Sequence, residues 1–172
     1  MTGSCDRVDE ASGVPTCGTC GYRTALDFTS AMFRLRKRYF DVSCCYDGAI
    51  IVSDRFRVVY QSLGGSNMHF GSLPATPGFY HLKCSKPVPL DYAAMGTTRS
   101  RLCGGCGRYL DVVGCTRIIL GSSVDFPENE LGFSDWHFGS NNEANPIVLC
   151  GAVLASAMQS FGLTGIDSFV QI

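Results

Sequence analysis

Two stretches of the chain carry the same hydrophobic pattern. Residues 49–52 (AIIV) form a short continuous apolar run that predicts a strand. Ser53 follows as an N-cap, and Phe56, Val59, Tyr60 and Leu63 recur at i, i+3, i+4 and i+7, the spacing of one helical face. Gly64 is a suitable stop. Near the C-terminus, 147–150 predicts a second strand, Leu154, Ala157, Met158 and Phe161 repeat the helical face, and Gly162 repeats the stop. Gln61-Ser62-Leu63-Gly64 aligns with Gln159-Ser160-Phe161-Gly162 at a constant offset of 98. A short strand is predicted after each helix, over 68–73 and 166–172.

Between these two strand–helix–strand units the pattern predicts strands over 78–84, 109–113 and 116–120. Residues 121–146 are rich in Gly, Ser and Asn, carry the single Trp, and read as a long loop. Residues 1–14 read as a polar tail, and 15–172 as one domain. Within it, an inserted strand–helix–strand subdomain spans about 31–90 and a similar C-terminal unit about 147–172. The predicted class is α+β.

Composition narrows the function classes. The chain has 172 residues, of which 17% are charged, and a mean hydropathy of +0.11, which excludes a largely disordered protein. The net charge of −1 argues against a protein that coats nucleic acid. The longest nearly apolar stretch, 148–158, falls short of the ~20 residues a membrane span needs. The N-terminal segment has no apolar core of the secretory type, so a cytoplasmic location is expected.

The distribution of charge says more than its sum. All 14 Lys and Arg lie at or before Arg117, against 9 acidic residues there, giving +5; residues 118–172 carry six acidic groups and none of the opposite sign. Asp125, Glu128, Glu130, Asp135 and Trp136 therefore mark an acidic, aromatic-bearing segment suited to a basic protein partner. A basic run, Arg34, Arg36, Lys37 and Arg38, suits phosphate in a nucleic-acid-binding reading, but no aromatic platform or Gly-rich loop accompanies it.

The ten cysteines carry the strongest chemical signal. Cys17-Gly-Thr-Cys20-Gly and Cys103-Gly-Gly-Cys106-Gly are matching C-x-x-C-G units. Two intervening residues let both thiolates of a turn face one cation, and two such turns complete a tetrahedral four-sulfur site for structural Zn²⁺. The trailing Gly allows positive φ, so that backbone N–H groups point at the sulfurs. Iron suits the same geometry, and a pair of redox dithiols is the alternative chemistry. The 82 residues 21–102 separate the units, so the metal clamps the ends of a folded segment, a rubredoxin-like ribbon around a long insertion.

The other cysteines have a different setting. Cys44 and Cys45 are adjacent in a predicted strand and should face opposite sides; Cys84, Cys115 and Cys150 read as small buried hydrophobes. His69, His81 and His137 lack ligand spacing and read as structural. No H-E-x-x-H, G-x-S-x-G or P-loop is present, and a site with four protein sulfurs keeps no position for water, so no enzymatic activity is expected.

The order of these elements resembles the double-CxxCG motif proteins, known best from myxobacteria. It runs from C-x-x-C-G through IVSDRF, a P-G-F-Y segment and a second C-x-x-C-G followed by Arg-Tyr, to a C-terminal helix ending in G-L-T-G-I-D. The resemblance covers roughly 15–172 in a chain that is short for the family, with an abbreviated middle. It implies an immunity protein that binds and neutralises a sibling toxin, with Cys17, Cys20, Cys103 and Cys106 as metal ligands. IVSDRF and G-L-T-G-I-D also look like elements of other immunity families of polymorphic toxin systems. The alternative expectation is a zinc-ribbon nucleic-acid-binding or regulatory module.

Overall fold

The computed structural model describes residues 13–25, 27–35, 40–45, 47–115 and 117–172. Most of the predicted tail, with Cys5, and Arg36, Lys37 and Arg38 of the basic run lie outside these residues.

The described residues are α+β and form two sheets and two α-helices. The first sheet has the order β1-β2-β4-β3, built from β1 (Val42–Cys44), β2 (Ile50–Ser53), β3 (Met68–Ser72) and β4 (Phe79–Cys84), all antiparallel neighbours. The second has the order β5-β6-β7-β8-β9, from β5 (Thr98–Leu102), β6 (Tyr109–Val113), β7 (Leu131–Ser140), β8 (Asn145–Cys150) and β9 (Val170–Gln171). Only β8 and β9 pair in parallel there. Helix α1 (Asp54–Ser62) follows β2, and α2 (Ala152–Ser160) follows β8.

The repeat seen in the sequence extends to the fold. The two helices occupy the same limits at an offset of 98. Both end alike: the Gly64 N–H donates to Gln61 O at 3.0 Å and the Gly162 N–H to Gln159 O at 2.9 Å. Their strands are buried on both faces, which is why each reads as a continuous apolar run. Ile50 and Val52 enter one core cluster and Ile51 another; Val148 and Cys150 join that first cluster, and Leu149 a third. The shared cluster holds Phe56, Val59 and Tyr60 of α1 beside Leu154, Ala155 and Met158 of α2, and so joins the two sheets. Phe161, expected on the buried face, is 55% exposed at the C-cap of α2, whereas its counterpart Leu63 at the C-cap of α1 packs against the shared cluster.

The helix starts differ for a steric reason. In α1 the Ser53 hydroxyl accepts the Phe56 N–H at 3.1 Å. In α2 the equivalent N–H, of Leu154, donates to the backbone oxygen of Glu128 at 3.0 Å. A Cβ on Gly151 would stand 2.4 Å from that oxygen, so glycine replaces serine and the neighbouring chain does the capping.

Two buried carboxylates lock the units reciprocally. Asp41 precedes β1 and Glu130 precedes β7. The Asp41 backbone oxygen accepts the Ser53 N–H at 2.8 Å, while its side chain accepts from Thr164 N (3.0 Å) and Thr164 Oγ1 (3.2 Å) of the C-terminal unit. The Glu130 backbone oxygen accepts the Gly151 N–H at 3.0 Å, while its side chain accepts from Ser66 N (2.6 Å) and Ser66 Oγ (2.9 Å) of the first unit. Ser66 and Thr164 are again 98 residues apart. Each unit thus supplies the carboxylate that fixes the other's loop after the helix.

Three expectations fail in the second sheet. The predicted loop 121–146 contains β7, ten residues paired with β6 on one side and β8 on the other. Its register shifts between Phe133 and His137, and the shift is stitched by donation of the Val88 N–H to Phe133 O (2.8 Å) and of the Asp135 N–H to Val88 O (3.2 Å). The predicted strand 116–120 is absent among the described residues, where only Leu120 makes an isolated bridge, to Leu90. β5 (TRSRL) was not expected: all five of its residues are exposed, so no apolar alternation announces it.

Candidate metal centre

The four cysteines of the C-x-x-C-G units meet. All four sulfurs lie within 4.8 Å of one another, close enough to hold a metal ion. Cys17 Sγ is 3.9 Å from Cys103 Sγ, and Cys20 Sγ is 3.8 Å from Cys106 Sγ. A tetrahedron with Zn–S bonds of about 2.3 Å has edges of about 3.8 Å. A disulfide would need about 2.05 Å. The sulfurs are therefore spaced for a shared cation and not for pairwise oxidation.

The two turns are copies of one another at an offset of 86. Thr16 bridges Arg23, and Leu102 pairs with Tyr109. The Cys17 N–H donates to Tyr22 O and the Cys103 N–H to Arg108 O, both at 2.8 Å. The Gly21 N–H donates to Cys17 O (2.8 Å) and the Gly107 N–H to Cys103 O (2.9 Å), with φ of +71° and +70°. A side chain is strained at that φ, which explains the glycine after each pair. The tips interlock: a Cβ on Gly105 would meet Thr19 Oγ1 at 2.4 Å and Cys17 Sγ at 3.2 Å.

Electrostatics favour thiolates at two corners. The N–H groups of Cys20 and Thr19 pull the Cys17 thiol down to about 6. Those of Cys106 and Gly105 lower Cys103. Cys20 receives the Tyr22 N–H, but burial and the sulfurs of Cys103, Cys17 and Cys106 outweigh it and push the thiol up to about 12. Four thiols crowded this closely ionise together only when a cation balances them.

Surrounding contacts tie the centre to both sheets. Arg23, on the first turn, pairs with Asp47 of the β1–β2 connection at 3.4 Å, and its N–H donates to Asn142 Oδ1 at 2.9 Å in the turn between β7 and β8. Arg108 Nη1, on the second turn, donates to Arg23 O at 3.0 Å. The 82 residues between the pairs hold the whole first sheet, α1 and all of β5. No protein-family model, curated protein or solved structure matches this chain.

The other described cysteines stay apart from the centre. Cys44 packs on the shared core and Cys45 on the second cluster, so the adjacent pair does face opposite sides. Cys150 is buried and Cys84 half-buried, but Cys115, expected inside, is exposed, just past the end of β6 at Val113. Burial pushes the Cys150 thiol up to about 12. His137 is pushed down to about 4 by burial, with Arg108 adding to the effect.

The acidic segment is not one surface. Asp125 and Glu128 are exposed. Glu130 is only 7% exposed and spends its carboxylate on Tyr60, Ser66 and Asn67, so it is a core group and offers no charge to a partner. Asp135 is exposed and accepts the Tyr92 hydroxyl. Trp136 lies on β7, not in a loop, and both ring faces are covered: Tyr92 stacks at 3.6 Å and Arg99 lies 4.0 Å over the ring. Sequence reasoning missed Asp41, Arg99 and Arg108, since a lone Asp and scattered arginines carry no spacing signal.

Proposed function

We propose that the chain is an immunity protein that binds a cognate toxin and occludes it, on a fold held by one structural zinc in a rubredoxin-like ribbon. The four converging sulfurs carry the zinc assignment: their spacing matches a closed tetrahedral shell, which suits a structural and not a hydrolytic metal. Free thiols poised for a metal suit a reducing compartment such as the cytoplasm.

A second observation supports the immunity reading. IVSDRF and G-L-T-G-I-D, the segments that resemble elements of immunity families, form one junction. Ser53 Oγ donates to Asp41 at 2.7 Å, Arg55 pairs with Asp41 at 3.2 Å and donates to the backbone oxygens of Phe161 and Gly162, and Thr164 completes the set. Asp125 and Glu128 are exposed carboxylates that a partner can reach.

The test is coexpression with the toxin encoded beside this chain. The protein should restore growth of the intoxicated host and co-purify with the toxin. Full toxicity in the presence of soluble, metal-loaded protein would contradict the reading.

A further inference from the structure

Several described basic side chains face a carboxylate: Arg23 with Asp47, Arg55 with Asp41, Arg57 with Asp54, Lys83 with Asp27 and Arg101 with Asp111. Arg99 and Arg108 depart from this. They line one cleft of about 310 Å³ between the β5–β6 hairpin, the first cysteine turn and β7. Among the described residues, neither makes an ion pair with a carboxylate. Two like charges in one cleft repel, and the contacts that exposed Arg99 makes are with aromatic rings and not with a carboxylate.

The cleft holds Arg99 ready. Its guanidinium lies 4.5 Å from the Tyr109 centroid and 4.0 Å from the Trp136 centroid. Trp136 is backed by Tyr92 with the rings 3° from parallel, and the Tyr92 hydroxyl also accepts the Trp136 N–H at 3.1 Å. Arg108 is placed over Tyr22 at 5.4 Å. Rings against both faces leave the Arg99 guanidinium its N–H edge for a ligand, an edge that matches the two oxygens of a carboxylate, while Arg108 spends Nη1 on Arg23 O and keeps its other N–H groups. The other titratable groups set the charge of the ligand. His137 lines the cleft and is neutral at physiological pH, and the Asp135 carboxylate at the wall disfavours a dianion such as phosphate.

We infer that the Arg99–Arg108 cleft receives one carboxylate, an Asp or Glu side chain presented by an acidic segment of a protein partner. The inference rests on the reading that the chain works by binding a protein, and it names the chemistry of the contact.

The test uses the full, metal-loaded chain and the emission of Trp136, its only Trp. The probes are a C-terminally amidated, N-acetylated glycine peptide with a central Glu, the same peptide with Gln, inorganic phosphate, and a single-stranded oligonucleotide. The Glu peptide should give a saturable change in the millimolar range, the affinity that one charge-assisted contact supports. Arg99→Gln should weaken it at least about tenfold, and Arg99→Lys, which keeps the charge and loses the fork, should also weaken it, each with unchanged metal content. Equal response to Glu and Gln, tighter binding of phosphate or oligonucleotide, no response to the Glu peptide, or full binding by both Arg99 variants would overturn the inference. Failure of toxin protection with intact peptide binding would remove the immunity reading and leave the cleft.

Discussion

At the scale of single residues, Glu130 is the side chain whose surroundings most change its role. In the sequence it is one of several acids in a polar stretch; in the fold it is buried beneath the turn after α1. Burial alone would raise its pKa, but the Tyr60 hydroxyl, the N–H and hydroxyl of Ser66 and the Asn67 N–H outweigh that, and the net shift is downward. A depressed folded-state value means stability that is present above the ordinary Glu range and lost as pH falls through the folded value. Glu130→Gln keeps the shape but turns an N–H₂ toward donors, which costs about 1–3 kcal/mol at neutral pH. The wild-type protein should therefore lose its advantage over the variant on acidification below about pH 4.3. Denaturant melts at pH 7 and at acid pH check this; a constant difference between the two proteins would show that the Glu130 charge does not matter. None of this was legible in the sequence, because the carboxylate's donors come from residues 63 to 70 positions away.

At the scale of elements, legibility followed burial. β2, β8 and the two helices announce themselves because both faces of each strand and one face of each helix enter the core, so apolar spacing and geometry agree. β7 hid among Gly, Ser and Asp because its stability comes from pairing on both edges and from Ser134, whose buried hydroxyl donates to Trp136 O (2.6 Å) and accepts the Ile147 N–H (2.9 Å). β5 is an edge strand with Arg99 and Arg101, residues that protect an edge and erase the apolar signal. The cysteine turns were fully legible as a spacing, but their interlocking was not. That contact gives a test. Gly105→Ala would drive a methyl into Thr19 and against Cys17, spread the two tips and weaken metal affinity on the order of tenfold. Thr19→Gly in the same chain removes the obstructing side chain and should restore most of the loss, as competition with a chromophoric chelator would measure. Additive losses in the double variant would mean that the tips do not meet.

At the scale of the whole molecule, the fold is a pair of related units locked twice. Asp41 and Glu130 join the units through their helix-terminal loops, and the four-cysteine centre joins the N-terminal turn to the second sheet across 86 positions of sequence. Metal binding at such a centre is linked to folding, because the unfolded chain lacks the site and must close a long loop to form it. The zinc is the claim on which the rest of the account depends. X-ray absorption at the zinc edge on protein purified without chelator, with elemental analysis of the same sample, addresses it most directly. The account predicts about one zinc per chain in a shell of four sulfurs at about 2.3 Å. A metal-free sample with Cys17, Cys20, Cys103 and Cys106 joined in disulfides, or a zinc shell containing nitrogen or oxygen, would contradict it.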